Sequence, residues 1–584
     1  MRLTSANPVA HSAARQSLPR SGSSLWASFG FFSLVALGAM LFFHGVEQMS
    51  QPLTALQSAP VSLELGHLPD YALRTTLRMF AALAVSLLFT LVIATLAAKS
   101  RKAELIILPA LDILQSVPVL GFLTFTVSFF MGLFPGRQWG VECAAIFAIF
   151  TSQVWNMTFS FYQSLKTVPN DLYEVSRQFK FSAFHRFVRL ELPFAMPGLV
   201  WNIMMSMSGG WFFVVASEAI TVGDTSVNLP GIGSWLALAI AQKDIAAIVW
   251  AVAAMAVVIL IYDQLLFRPV VAWADKFRFE QTASQKRPRS WMYDLVRATG
   301  LMPVVMRGVT QIVDRLVLVR MPGFAVLPRR MSNARFTRAT DVAWLGLVLV
   351  ACAIGSLYVA RFIGTTLGLE DVLHAFGLGL TTMTRVAALI IIASAIWVPI
   401  GVWVGLNPVW AERLQPLAQF LAAFPANVLF PFAVIAIVGL QLNPDIWLSP
   451  LMVLGTQWYI LFNVIAGASA IPTDLREAAR MFDMRGWQWW RQVALPAIFP
   501  YYITGALTAA GGSWNASIVA ESVAWGDEHL QASGLGSFIA QATEAGDFPR
   551  VALGIVVMSL FVVGFNRLLW RPLYRYAERR LRLD

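Results

Sequence analysis

Long apolar runs alternate with short polar ones along the whole chain. Residues 79–98, MFAALAVSLLFTLVIATLAA, carry no charge over a length that crosses a bilayer as a helix. The same alternation predicts twelve spans, near 25–46, 75–98, 105–134, 140–161, 194–220 and 246–267, then 341–364, 378–405, 414–440, 446–469, 497–524 and 550–570. The polar segments between them differ in charge. KSRK at 99–102, the 162–190 segment, the 268–338 stretch and the tail RPLYRYAERRLRLD are rich in Arg and Lys, whereas 47–70 and 221–244 are poor in them. Basic residues are retained on the cytoplasmic side, so both termini and the 268–338 stretch are expected there. A polar tail, 1–24, with Arg2, Arg15 and Arg20, precedes the first span. Its layout also fits a removed signal peptide, but the apolar stretch is long for one and the later spans agree with a retained first span.

The pattern is written twice. VPNDLYEVSRQFKFSAFHRFVRLELP at 168–193 and IPTDLREAARMFDMRGWQWWRQVALP at 471–496 share Pro, Asp, Leu, Glu, Arg, Phe, Leu and Pro at a constant separation of 303 residues. The same separation carries Trp211 to Trp514, Glu218 to Glu521, GIG at 231–233 to GLG at 534–536, and LLFRP at 265–269 to LLWRP at 568–572. Upstream, TT at 75–76 pairs with TT at 381–382 at a slightly different offset, and Pro118 pairs with Pro425, each proline expected to bend its span and permit a break in it. Six spans per copy keep both copies in one orientation, a parallel repeat about an axis along the membrane normal. The expected organisation is a tail 1–24, a first repeat 25–267, a basic cytoplasmic connector 268–338 and a second repeat 339–584. The connector would either form short amphipathic helices on the inner leaflet or serve as a solvated tether.

Composition agrees with an all-α polytopic membrane protein. The chain is 57% hydrophobic and 13% charged, with a mean hydropathy of +0.65. A net charge of +11 would raise nucleic acid as a partner for a soluble protein; here the basic cytoplasmic loops account for it. Cys143 and Cys352 each lie in an apolar segment, and the six histidines are scattered, so neither a disulfide framework nor a metal site is expected.

The duplicated segment is the chemically distinctive one. In the second copy, Pro472 and Thr473 start a helix with Asp474 and Glu477 in its first turn, where the dipole favours acids. Leu475, Ala478, Ala479 and Phe482 fall on one face, a turn near Gly486 follows, and a second amphipathic piece along the membrane surface runs to Leu495 and Pro496. Such an apolar face ringed by charge could dock into a groove of a soluble partner.

The spacing of Glu477, Ala478 and Ala479, with Leu495-Pro496 eighteen residues after the Glu, resembles the EAA loop of binding-protein-dependent ABC importer permeases. The first copy keeps Glu174, Leu192 and Pro193 but has Val175 and Ser176 for the two alanines. The usual Gly six residues after the Glu is Lys180 in one copy and Asp483 in the other, so the turn would fall to Ser182 and Gly486. The tails of the repeats, and GGWFFVVASEAI at 209–220, are similar to the nitrate/sulfonate/taurine branch. The resemblance implies the type I importer permease fold and a location in the bacterial inner membrane. It implies two separate ATPase subunits, docked on loops that include Asp171, Glu174, Arg177, Phe179, Leu192, Pro193, Asp474, Glu477, Ala478, Ala479, Arg480, Phe482, Leu495 and Pro496. It implies a periplasmic or lipid-anchored solute-binding protein, and a small anion such as nitrate, a sulfonate or taurine as solute. No G-x-x-x-x-G-K-[ST] loop occurs, so ATP would be bound by the partners and no cofactor by this chain.

Candidate pathway or gate residues are Trp211, Glu218, Trp514, Asn515 and Glu521. Glu218 and Glu521 lie near span ends, where a carboxylate can equally cap the re-entrant segment that follows. The tryptophans can equally be packing residues. A ferric iron or thiamine permease, a twelve-span ion-coupled transporter and a membrane scaffold are the competing functions. The ion-coupled reading expects ionisable groups deep in the spans, of which the sequence offers few.

Overall fold

A computed structural model describes residues 21–49, 61–115, 117–121, 123–222, 225–277, 290–299 and 334–580. Most of the N-terminal tail and most of the connector fall outside these residues. Among the described residues the only strands form two short antiparallel hairpins, 219–228 and 522–531; the rest of the architecture is helical.

Among the described residues eight helices are long and apolar enough to cross a membrane, ten if two sharply bent pairs each count as one span. The remaining two expected spans are helical but less simple. The fourth span of the first repeat is one helix, Trp139–Lys166, that buries Thr151, Gln153 and Thr158 among its apolar residues. The third spans, over 105–134 and 414–440, are broken at the prolines expected to bend them. In the first repeat Arg101–Leu114 and Leu123–Leu133 flank a non-helical stretch at Pro118. In the second, Pro408–Ala423 is followed by a short turn and Phe430–Gly439, with an 81° bend. Proline supplies the reason. It has no N–H to donate and forces the preceding residue out of the helical region, and Phe424, before Pro425, sits at φ −72°, ψ 127°.

The first-span helices, Ser21–Met49 and Ala334–Ile363, are peripheral, exposing Phe42, Phe43, Leu357 and Tyr358 on their outer faces. Spans two to six form the packed unit of each repeat. Close helix approaches use glycine, as expected where packing rather than water drives association. At Gly405 an added Cβ would lie 2.6 Å from the Ile465 carbonyl, and at Gly505 2.7 Å from that of Tyr459.

The repeats are joined by reciprocal contacts. Asn515 Oδ1, in the fifth span of repeat two, accepts from the Val119 N–H in the broken third span of repeat one, at 2.8 Å. Asn427, in the broken third span of repeat two, donates from Nδ2 to the Phe212 carbonyl in the fifth span of repeat one, at 3.1 Å. The first break, which leaves backbone groups without helical partners, thus gains a partner from the other repeat, and the second sends a side-chain donor across to it. The Trp201 and Phe462 rings stack across the same interface, 5.4 Å apart.

Four π-helical turns punctuate the spans: Phe187–Glu191 and Trp490–Ala494 before the fifth spans, Asp263–Phe267 and Asn566–Trp570 at the ends of the sixth. Each ends two residues before a proline, Pro193, Pro496, Pro269 or Pro572. A proline ring clashes with a carbonyl one α-turn back; the wider π turn re-aims that carbonyl and lets the helix continue. The amphipathic piece after each loop is therefore no separate surface helix. It is continuous with the fifth span, in helices of 36 residues (Ala183–Glu218) and 35 residues (Gly486–Ala520).

Candidate functional site

Three sites follow from this frame: the duplicated loops at one end of the bundle, a cavity between the repeats, and a buried charge cluster at the other end.

Each loop begins with a nine-residue helix, Asn170–Gln178 or Thr473–Met481. Asp171, Glu174, Arg177, Asp474, Glu477 and Arg480 are exposed. Ser176 and its counterpart Ala479 are buried and Ala478 is half-buried, so these small residues form the side that packs on the protein. Phe179 and Phe482 do not join that face; they project outward, 71% and 76% exposed. The turn is made at the position where the sequence lacks glycine. Lys180 and Asp483 adopt left-handed backbone, φ +53° and +49°. In both copies the next residue's N–H, from Phe181 or Met484, reaches back to the carbonyl of Ser176 or Ala479, closing a Schellman turn. Ser182 instead caps the following helix by accepting from the His185 N–H, while Gly486 provides a further positive φ in the second copy only. The loop is tied to the spans by Lys99 Nζ, 2.8 Å from Glu191 Oε2. Burial and, next, the Glu191 carboxylate push the Tyr173 hydroxyl up to about 12, so it stays protonated at neutral pH. Leu192, Pro193, Leu495 and Pro496 are half-buried where the loop enters the fifth span.

The cavity, about 250 Å³, lies between spans of both repeats. Trp514 and Asn515 line it. Trp211 does not: it is fully buried and packs its ring against Tyr262, 5.5 Å away. Glu218 and Glu521 do not line it either.

They stand instead in the charge cluster. In repeat one, Arg78 Nε and Nη2 donate to the two oxygens of Glu142 at 2.6 and 2.8 Å, and Nη1 donates to Glu218 Oε1 at 2.7 Å and to the Pro230 carbonyl at 3.0 Å. All three ionisable side chains are fully buried. Glu218 Oε2 accepts from the Gly233 N–H at 2.7 Å. In repeat two, Arg385 reaches Asp445 at 3.0 Å and Glu521 at 3.3 Å, and Glu521 Oε2 accepts from the Gly536 N–H at 2.7 Å. This copy is less sealed, with Asp445 46% exposed. Thr75 and Thr382 accept from the N–H groups of Ile232 and Leu535, the residues between the paired glycines. Those glycines are required: a Cβ at Gly231 or Gly534 would overlap the carboxylate, and at Gly233 or Gly536 the carbonyl of Val215 or Ser517. The clusters fasten the hairpin and the re-entrant helices Ile232–Ala241 and Leu535–Glu544 to the second span.

Sequence reasoning missed Arg78, Glu142, Arg385 and Asp445. A signal was present. Pairing TT with TT sets the offset one residue short; the shared hydrogen bond equates Thr75 with Thr382, 307 residues apart, and Arg78 with Arg385 follows at the same offset.

Comparison with known proteins agrees with this anatomy. Residues 69–267 and 397–583 each match the family described as binding-protein-dependent transport system inner membrane component. The bicarbonate transport system permease protein CmpB of Synechococcus elongatus is 33% identical over 180 residues, 31% of this chain and 62% of that protein. The nitrate import permease protein NrtB of Leptolyngbya laminosa is 27% identical over 187 residues, 32% of this chain and 63% of that protein. A probable ABC transporter permease protein of Brucella melitensis is 25% identical over 264 residues, 43% of this chain and 98% of that protein. The chain thus spans a little over three-fifths of the bicarbonate and nitrate relatives. Two family matches on one polypeptide, one over spans two to six of the first repeat and one from the end of the second span onward in the second repeat, establish that the chain belongs to the binding-protein-dependent transport system inner membrane component family and carries its domain twice.

Proposed function

We propose that this chain is the complete pair of membrane domains of an ATP-driven importer for a small anion, coupled to two separate ATPase subunits through its duplicated loops. The observation that carries the reading is the loops themselves. Two short helices at one end of the bundle bury only small residues and hold Phe179 and Phe482 out in solvent, each beside an exposed Glu. Exposed aromatics flanked by charge suit insertion into a cleft of a soluble partner. That end also carries the basic segments, so it faces the cytoplasm, as do both termini. A solute-binding protein would deliver from the opposite side. The bicarbonate and nitrate relatives support an anion; a sulfonate or taurine is the alternative within the same class, and ferric iron or thiamine lies further off.

An ion-coupled transporter would need titratable groups free to exchange protons or ions within the spans. Arg78, Glu142 and Glu218 are instead saturated by one another and by backbone groups. The test is co-purification from native membranes in mild detergent. A pair of ATPase subunits should accompany the wild type and be lost from the Glu174→Lys, Glu477→Lys double variant. Purification alone, with uptake that persists on an ion gradient, would overturn the proposal.

A further inference from the structure

We propose that Glu191 is a positioning residue for transport. It locks the first docking loop to the second span of repeat one, so that this loop, and not its twin, drives the buried arginine clasp at the far end of the bundle. The inference rests on the importer reading and deepens it, by making the two docking loops unequal.

Three observations carry it. The first is the lock. Glu191, in the π turn that follows the first loop, is 4% exposed. Its carboxylate meets Lys99 Nζ at 2.8 Å and accepts from the hydroxyl of Tyr173, which stands on the docking helix Asn170–Gln178. Lys99 also lies over the Phe187 ring, 5.3 Å from its centre, and Arg186 over the Tyr173 ring, at 5.9 Å. One carboxylate thus joins the docking helix, the π turn and the second span. Pulling a buried carboxylate from its partners leaves an uncompensated charge, so the three elements move together.

The second is the strut. Lys99 is the last residue of the second-span helix Leu68–Lys99. Arg78 lies on the same helix, roughly 30 Å away at the α-helical rise. The proline of this helix, Pro69, stands in the first turn, where no helical hydrogen bond is lost. Arg78 in turn holds Glu142 and Glu218. A displacement at Lys99 is therefore delivered to the clasp.

The third is the loss of both in repeat two. Tyr173 and Glu191 correspond to Arg476 and Ala494 at the 303-residue separation, and Lys99 to Leu406 at the 307-residue separation of the second spans. Arg476 Nε has no hydrogen-bond partner among the described residues. Ala494 and Leu406 join the apolar packing instead, which is non-directional and lets surfaces slide. The second-span helix Leu369–Leu406 also contains Pro399, between Arg385 and its inner end, where a proline removes a hydrogen bond and weakens the rod.

The experiment uses the full chain purified with its ATPase subunits in lipid nanodiscs. Hydrogen exchange is followed in Ile232–Ala241 and Leu535–Glu544, the helices held by the two clasps, without nucleotide and with ATP and vanadate. In the wild type the nucleotide should change exchange in Ile232–Ala241 at least several-fold, and in Leu535–Glu544 less. Glu191→Gln and Tyr173→Phe should abolish the response of Ile232–Ala241 while keeping the ATPase subunits and the nucleotide-free exchange pattern, which a merely structural role would disturb. The swap of Glu191→Lys with Lys99→Glu should restore the response, because the Tyr173 hydroxyl can accept as well as donate. Tyr173→Phe keeps the ring beneath Arg186 and decides the matter if Glu191→Gln does not fold. Arg476→Ala, in the twin loop, should leave both responses unchanged. A full response in Tyr173→Phe, equal responses of the two helices in the wild type, or a folded swap without response would each overturn the proposal. The importer reading fails separately, by absence of ATPase subunits from the purified wild type.

Discussion

At the residue scale, one left-handed residue and one arginine carry most of the argument. Lys180 holds a positive φ that a β-carbon disfavours by about 1–2 kcal/mol. Lys180→Gly should therefore stabilise the loop by about 1 kcal/mol, partly offset by the looser unfolded chain. Hydrogen exchange of the Asn170–Gln178 amides should slow several-fold, and faster exchange would refute the account. Asp483→Gly should gain less, since Asp tolerates this backbone better. Arg78→Gln leaves two buried carboxylates unpaired and should cost about 3–5 kcal/mol. Arg385→Gln should cost clearly less, because Asp445 can turn to solvent. Equal losses of thermal midpoint would show that burial does not set the difference. The glutamates and their capping of the segment that follows were legible in the sequence; the arginine that binds them was not. Their partner is 140 residues from Glu218, on another span, and no periodicity connects such positions.

At the element scale, the apolar pattern located the helices well and their interruptions poorly. Hydropathy measures what a segment dissolves in, not whether its backbone is continuous, so both broken third spans read as single runs. Proline marked the sites in each case: Pro118 and Pro425 break, while Pro193, Pro496, Pro269 and Pro572 are tolerated through a π turn. The sequence marks Pro118 and Pro425 as mid-span prolines that bend or break their spans; it does not show the partner from the other repeat that meets the first break. The π turns give a sharp prediction. A π turn holds one residue more than the α turn it replaces, so its loss rotates everything before it by roughly 100°. Pro496→Ala removes the reason for the extra residue. It should leave the fold and expression intact but misalign the preceding loop, lowering ATP-driven uptake at least several-fold. Unaltered uptake would mean that the turn is held by packing and not by the proline.

At the scale of the whole molecule, the repeats are not independent bodies. The bonds from Asn515 to Val119 and from Asn427 to Phe212 run in opposite directions across the interface. Residues 1–299 and 300–584, made together as two polypeptides, should therefore associate and purify as a pair. Each made alone should be degraded or aggregate, since the Val119 N–H of one half and the Asn427 amide of the other would be left unpaired in an exposed apolar interface. A stable isolated half would contradict this. The duplication was plain in the sequence because one offset persists over so many positions; the interlock was not, because asparagine in a span does not announce its partner.

The joining of both copies in one polypeptide also removes a constraint. In a pair of identical subunits every substitution is made twice, on both walls of the pore at once. Here the copies are free to differ, and they do: Trp514 borders the cavity while its counterpart Trp211 does not, and one arginine clasp is sealed while the other is half open. Such a duplicated gene can specialise one wall for touching the solute and the other for holding the assembly rigid, a division of labour that a homodimer has no means to encode.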